Sequence, residues 1–412
     1  MDILTRFELR KIMRRKSFFI GITLVIVVAL LGVWALVSGA YITDKDGNDL
    51  KGLEAIPLRK EYNRQLAGPL TMEKIAAAVK HHQKVIHDPK NLNEKGELTN
   101  EAYVTYKEQS YQIDTLIRFA FSHSREYDHY IIDSMTPSTA KTFYQERLDK
   151  VQEYIDRDYT PGNASAKENA FFMRMNKSIP VPFQMDYVTG WENVFENLQF
   201  ILLISAFVIA IWLAPVFAGE YQSGADAIIL SSRYGRNKVI AAKLKAGLIV
   251  SLGLLAAGLG TYTLLMLGIF GFDGGSASVQ MIKLFAPVPF TVFQTYLWAI
   301  LIGSLACLIV GAVTLWLSSR MSTPFPVIIV IVILLIGPLF FPASKSSRLY
   351  NHIMNLFPGK MVDGITRVTE YEVYSVFGQL IPSYKFATGF AVIVIALLLP
   401  FTYRAFKNHQ VV

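Results

Sequence analysis

Six runs of about 20 apolar residues, near 17–40, 198–218, 244–272, 292–317, 324–342 and 384–403, restrict this chain more than any other feature. A hydrocarbon core about 30 Å thick requires about 20 such residues of a helix. Inside lipid every backbone polar group must be satisfied within the segment, which a helix achieves. The pattern predicts an all-α polytopic membrane protein with six spans. Composition agrees, with 52% hydrophobic and 17% charged residues among 412, where a soluble chain carries about 25% charged. The net charge of +8 could suggest nucleic acid. However, the cations flank the apolar runs, where they set orientation and meet anionic headgroups. A lipid membrane is the predicted partner and nucleic acid is not.

Charge divides the chain into two unlike parts. Residues 41–196 hold 24 of the 32 acids and 20 of the 40 cations, a net charge near −4, which leaves the remainder near +12. Because Lys and Arg resist translocation, the acidic region is expected outside the cell and the basic loops and both termini inside. The organisation expected is then a segment 1–16, a first span 17–40, an extracellular domain 41–196, and spans two to six over 197–412. Residues 1–16, MDILTRFELRKIMRRK, can form an amphipathic helix with Ile3, Leu4, Phe7 and Ile12 on one side. Arg6, Arg10, Arg14 and Arg15 lie elsewhere and suit a membrane interface. The following run is longer than a signal peptide's apolar core, so it is read as an uncleaved anchor.

The extracellular domain reads as mostly helical. Thr71 can cap a helix to about His87, Asn100 a second from Glu101 to about Ser122, and Thr136-Pro137 opens a third. In that third segment Phe143, Leu148, Val151 and Ile155 recur near a 3.6 period. Pro180 and Pro182 mark an extended link, and Trp191 is expected to anchor at the outer interface. His82 and His87 are five apart, off the spacing that sets two ligands on one helix face, and no metal site is predicted. Asn163-Ala164-Ser165 matches the glycosylation pattern, a three-residue match that chance also produces. In the third span Gly247, Ser251, Gly253, Gly258 and Gly260 would permit close helix packing.

Chemical motifs are mostly missing. The chain contains no G-x-x-x-x-G-K-[ST], no H-E-x-x-H and no G-x-S-x-G, so neither a phosphate-binding loop nor a common hydrolase site is present. Ionisable residues are absent from the centres of the spans, which argues against ion-coupled transport. A soluble partner would have to supply the energy for any transport. The segment between the second and third spans, 219–243, could dock one: a short apolar stretch, Ala225–Leu230, lies between Glu220 and the cations Arg233, Arg236, Lys238 and Lys243. It could equally be a basic loop that only sets topology.

On these residues the chain resembles the ABC-2 type permeases, the membrane subunits of ATP-binding-cassette exporters. The resemblance rests on the order of elements and on Glu220-Tyr221-Gln222-Ser223-Gly224, followed by Leu230–Arg236 and Lys243, with Ala225 where many members have Thr. Asn355–Gly359 is similar to the family's outer re-entrant helices, within an outer region 343–383. The large insertion after the first span resembles the sodium-export and antibiotic-immunity branches. The resemblance implies that Glu220, Gly224, Arg233, Arg236 and Lys243 couple to a cytoplasmic ATP-binding subunit. That subunit would hold ATP and magnesium, this chain would bind no cofactor, and a second permease subunit would complete the assembly. An alternative from another class is a sensor or scaffold whose extracellular domain binds a ligand or an envelope component.

Overall fold

The computed structural model describes residues 1–44, 48–123, 126–157, 165–344 and 346–410; Asn163 and Ala164 of the glycosylation match lie outside them. The chain opens with α1 (Ile3–Met13), whose Asp2 side chain accepts from the Thr5 amide, and α2 (Lys16–Gly39). A hairpin of β1 (Tyr41–Thr43) and β2 (Asp49–Lys51) follows, paired Tyr41 to Lys51. Next come α3 (Ala55–Gln65), β3 (Gly68–Pro69), α4 (Met72–His87) and α5 (Asn100–Ala102), a π-helical segment Tyr103–Lys107, then α6 (Glu108–Phe121), α7 (Pro137–Ala140), α8 (Phe143–Arg157) and α9 (Ala166–Lys177). Strand β4 (Gln184–Met185) returns to pair antiparallel with β3, which closes this interspan domain.

The second half consists of α10 (Thr189–Leu213), α11 (Ala218–Ser223), α12 (Ala225–Ser231), α13 (Lys238–Phe270), α14 (Val292–Ser318) and α15 (Pro324–Ile336). The short helices α16 (Arg348–Asn355), α17 (Pro358–Met361) and α18 (Gly364–Thr369) lead to the hairpin β5 (Val373–Val376) and β6 (Gln379–Pro382), and α19 (Ser383–Lys407) ends the chain. Among the described residues five helices are long and apolar enough to cross a membrane: Lys16–Gly39, Thr189–Ser223, Lys238–Phe270, Val292–Ser318 and Ser383–Lys407. The sixth expected span differs. Pro324–Phe340 is shorter, because Gly337 and Pro338 turn the last residues into a 3-10 segment. Proline has no amide to continue the α ladder.

Inside the bundle, α10 packs against α2, α13, α14 and α15. Of the glycines expected to allow this, Gly247 and Gly258 do: a Cβ would lie 3.2 Å from Leu213 and 3.1 Å from Val25, whereas Gly253 and Gly260 face open space. Trp191 is not an interface anchor. Helix α10 begins at Thr189, within the stretch assigned to the domain, and carries the indole inward against Phe293 and Tyr296.

In the interspan domain, the Thr71 and Thr136 caps form as expected, and the middle one shifts by one residue because the Thr99 hydroxyl accepts from the Ala102 amide. Thr136 caps only α7, and the apolar stripe belongs to the separate α8. There Phe143, Val151 and Ile155 are buried, while Arg147 rather than Leu148 completes the face. Its guanidinium donates from Nε to Leu284 O at 2.7 Å and from Nη2 to Ala286 O and Asn176 Oδ1, both at 3.1 Å. Arg147 thereby joins the domain to the loop between α13 and α14. A second joint sits beside it, where Asp273 of that loop meets Lys60 Nζ at 2.5 Å and Arg64 Nη2 at 2.6 Å, both from α3. His82 is buried, with Nε2 2.5 Å from Asp133 Oδ1, and packs rather than stands exposed.

Candidate functional site

At the end of the bundle away from the interspan domain, α10 gives way to two short helices. The turn Ala214–Phe217 is held by one hydroxyl at the end of α14. Ser318 Oγ donates to Ala214 O at 2.6 Å and accepts from the Phe217 and Ala218 amides at 3.1 and 3.0 Å. Helix α11 then runs to Gly224, whose φ of 70° and ψ of 7° redirect the chain into α12. A side chain in that left-handed conformation costs about 1–2 kcal/mol, so the site selects glycine.

Beneath α11 lies a cluster of opposite charges in which three elements meet. Lys243 of α13 has no exposed surface. Its Nζ donates to Glu220 Oε1 at 2.5 Å, to Glu8 Oε2 at 3.0 Å and to Val216 O at 3.2 Å. Glu220, 2% exposed, also accepts from Lys11 Nζ at 2.6 Å, so two acids from α1 and α11 face two lysines from α1 and α13. Arg15 adds donors to Trp212 O and Pro215 O at 3.5 and 3.4 Å. Burial pushes its guanidinium below the ordinary value, against the pull of Glu8 and Glu220. Removing such charges from water costs several kcal/mol per ion, which only close opposite partners offset. The cluster therefore fixes α1, α11 and the start of α13 in one arrangement.

The far side of α12 is held by the end of the chain. Arg236 Nη1 donates to Lys407 O at 2.5 Å and His409 O at 3.4 Å, and His409 Nε2 lies 3.3 Å from Asp226 Oδ2. Tyr221 stacks on Phe406 and its hydroxyl donates to Ser319 O at 3.0 Å. With Asp226 and Leu230 turned inward, the same helix presents Ile228, 76% exposed. After this helix, Arg233 and Lys238 both lie over the Tyr234 ring.

The five residues singled out in this loop thus separate by position. Glu220 and Lys243 are internal, Gly224 shapes the turn, Arg236 binds the chain's own C-terminal segment, and Arg233 is exposed. Of the N-terminal arginines, Arg6, Arg10 and Arg14 are exposed while Arg15 turns into the cluster. The expected apolar side of α1 also differs. Thr5, Glu8 and Ile12 face α13, and Ile3 and Phe7 share the exposed face with the arginines. Sequence reasoning missed Glu8, Lys11, Ser318 and His409 as members of this site. Glu8, an acid inside a strongly basic helix, was the one with a visible signal.

A family model described as ABC-2 family transporter protein matches residues 3–410. No curated protein and no solved structure matches the chain. The matched span takes in α1, every membrane-length helix, the interspan domain and the charge cluster. Membership implies association with a membrane and with an ATP-binding subunit. The chain belongs to the ABC-2 family of transporter proteins, as a multi-pass membrane component.

Proposed function

We propose that this chain is the permease subunit of an ABC exporter, driven by ATP and magnesium bound on a separate cytoplasmic subunit and paired with a second permease subunit. In this reading Pro324–Phe340 completes six membrane segments, both termini are cytoplasmic, and the interspan domain is extracellular. The exposed face of α1, with Ile3 and Phe7 among Arg6, Arg10 and Arg14, suits the inner headgroup layer. The observation that carries the reading is α12, which offers the apolar side chain of Ile228 outward from a base locked by Glu220, Lys243, Glu8 and Lys11. A large exposed aliphatic on a rigid, cation-flanked helix is suited to fill a partner's pocket, and such anchors contribute about 2 kcal/mol or more. Glu220 and Lys243 would then transmit force rather than touch the ATPase.

The test is gentle extraction from the native membrane with vanadate-sensitive ATP hydrolysis as the readout. An ATP-binding subunit should co-purify, and Ile228→Glu should weaken its retention about 30-fold or more while leaving the thermal stability of the permease unchanged. Retention of that subunit at wild-type strength by Ile228→Glu would remove α12 from the interface.

A further inference from the structure

A cavity of about 1390 Å³ opens where the interspan domain meets the ends of the membrane helices. Its walls come from β1, α3, the π-helical segment, α6 and α8 on one side. On the other are the first turn of α10, residues 281–286 before α14, and Thr369–Tyr371 at the end of α18. The volume exceeds the about 300–1,000 Å³ typical of drug-sized ligand sites.

Three independent features make this more than a gap between layers. Five aromatic side chains on the cavity wall, Tyr41, Tyr103, Tyr111, Phe119 and Tyr154, are between 43% and 54% exposed. Apolar surface left in water on concave walls is surface that a ligand can cover, at about 25 cal/mol per Å². Tyr103 also begins the π-helical segment, a rare conformation that occurs mostly as single turns within α-helices and frequently at functional sites. Finally, Gln112 of the same wall donates from Nε2 to Asp186 O at 3.3 Å, while its buried Oε1 has no hydrogen-bond partner among the described residues. A buried acceptor without a donor costs about 1–3 kcal/mol, a cost that a small rotation of the Gln112 side chain toward a ligand N–H would remove.

The lining also selects the chemical class. Among the described residues the lining carries three cations, Arg59, Lys150 and Lys283, interspersed with three acids, Asp49, Glu192 and Glu370, and not the cluster of cations that a nucleotide or polyphosphate requires. Those charges are interleaved with tyrosines and with the amides of Asn63, Asn100 and Asn193. A phospholipid would need an apolar half for its chains, whereas both walls contribute charged and hydrogen-bonding side chains, Asp49, Arg59 and Lys150 on one and Glu192, Asn193 and Lys283 on the other. Tyrosine with asparagine is the combination that binds polypeptide at low entropic cost in other recognition surfaces. We propose that this cavity binds a peptide segment of several residues: its side chains cover the five aromatics, one backbone N–H donates to Gln112 Oε1, and charges of either sign find a partner. The inference does not depend on ATP-driven transport, since equilibrium binding requires no nucleotide.

The test uses full-length protein in detergent micelles, without nucleotide, incubated with a synthetic library of random nonapeptides. Retained peptides are identified by mass spectrometry, and one is labelled for fluorescence anisotropy. Enrichment of a sequence-related subset is expected. Binding of the labelled peptide should weaken at least ten-fold in Tyr111→Ser and separately in Tyr154→Ser, and several-fold in Gln112→Leu, with melting temperatures near wild type. Using two half-exposed positions keeps the test decisive if one variant misfolds. Absence of enrichment, or binding unchanged in every folded variant, overturns the proposal. Displacement of the peptide by dioctanoyl phosphatidylglycerol at comparable concentration overturns it in favour of a lipid. None of these outcomes is altered by the behaviour of Ile228→Glu.

Discussion

Lys243 shows how one residue can be visible in a sequence and still misjudged. It stands at the head of an apolar run, where a cation is expected to face water and headgroups. Instead it is fully buried between two carboxylates, one of them 235 positions away. Nothing in a linear pattern ties Glu8 to Lys243, because the pairing is created by α1 folding back along α13. The consequence can be measured. Lys243→Met takes from Glu8 its lysine partner and leaves Glu220 paired with Lys11, and breaking a buried pair costs about 3–5 kcal/mol. A marked fall in melting temperature in detergent is expected. The double variant Lys243→Met with Glu220→Gln should lose less than the sum of the two single losses, since it removes a charge together with its partner. Strictly additive losses would mean that the two groups do not interact.

Among the elements, those whose signals are local were legible. Caps such as Thr71 and Thr136 depend on residues within a turn or two and form as expected, and five of the six long apolar runs lie in membrane-length helices among the described residues. What was not legible depends on contacts between distant segments: the π turn after Ala102, Arg147 on the buried face of α8, and the inward rotation of Trp191. The end of the last helix belongs to the second group. Phe406, Lys407 and His409 engage Tyr221, Arg236 and Asp226, although a basic tail after a final span reads as solvent-exposed. Truncation after Ala405 removes these contacts. Each partly exposed hydrogen bond or ion pair contributes about 1 kcal/mol. Amide hydrogen exchange over residues 225–237 should therefore speed up about five- to thirty-fold, with exchange in the centre of α14 unchanged. Equal exchange in both chains would show that the tail does not hold the loop.

For the whole molecule, charge asymmetry predicts an interspan region distinct from the bundle, but a charge count carries nothing about how the two are joined. The joints are Arg147 against the carbonyls of Leu284 and Ala286, and Asp273 between Lys60 and Arg64. Partial burial raises the Asp273 carboxyl, yet the hydrogen bonds and charges of Arg64 and Lys60 outweigh it and hold the group at about 2. A depressed acid contributes stability in full above its ordinary value near 4 and loses it as pH falls toward 2. Pepsin cleavage between residues 273 and 286, normalised at each pH to cleavage of an unstructured control peptide, should rise as pH is lowered from 4 to 2. Asp273→Asn should already show the higher cleavage at pH 4 and little further change. A wild-type protein with cleavage independent of pH in that window would show that this ion pair does not hold the joint closed.

Helix α13 connects the two regions with a single rigid element. Its 33 residues, at 1.5 Å each, make a rod about 50 Å long. The charge cluster grips it within two turns of one end, and the loop bearing Asp273 leaves from the other. Such a rod is a lever. A tilt of about 5° imposed near Lys243 displaces its far end by about 4 Å, more than the separation of any hydrogen-bonded pair at the Arg147 and Asp273 joints. In the proposed exporter, pressure on α12 and a change of shape in the cavity at the opposite end would then be two ends of one mechanical stroke.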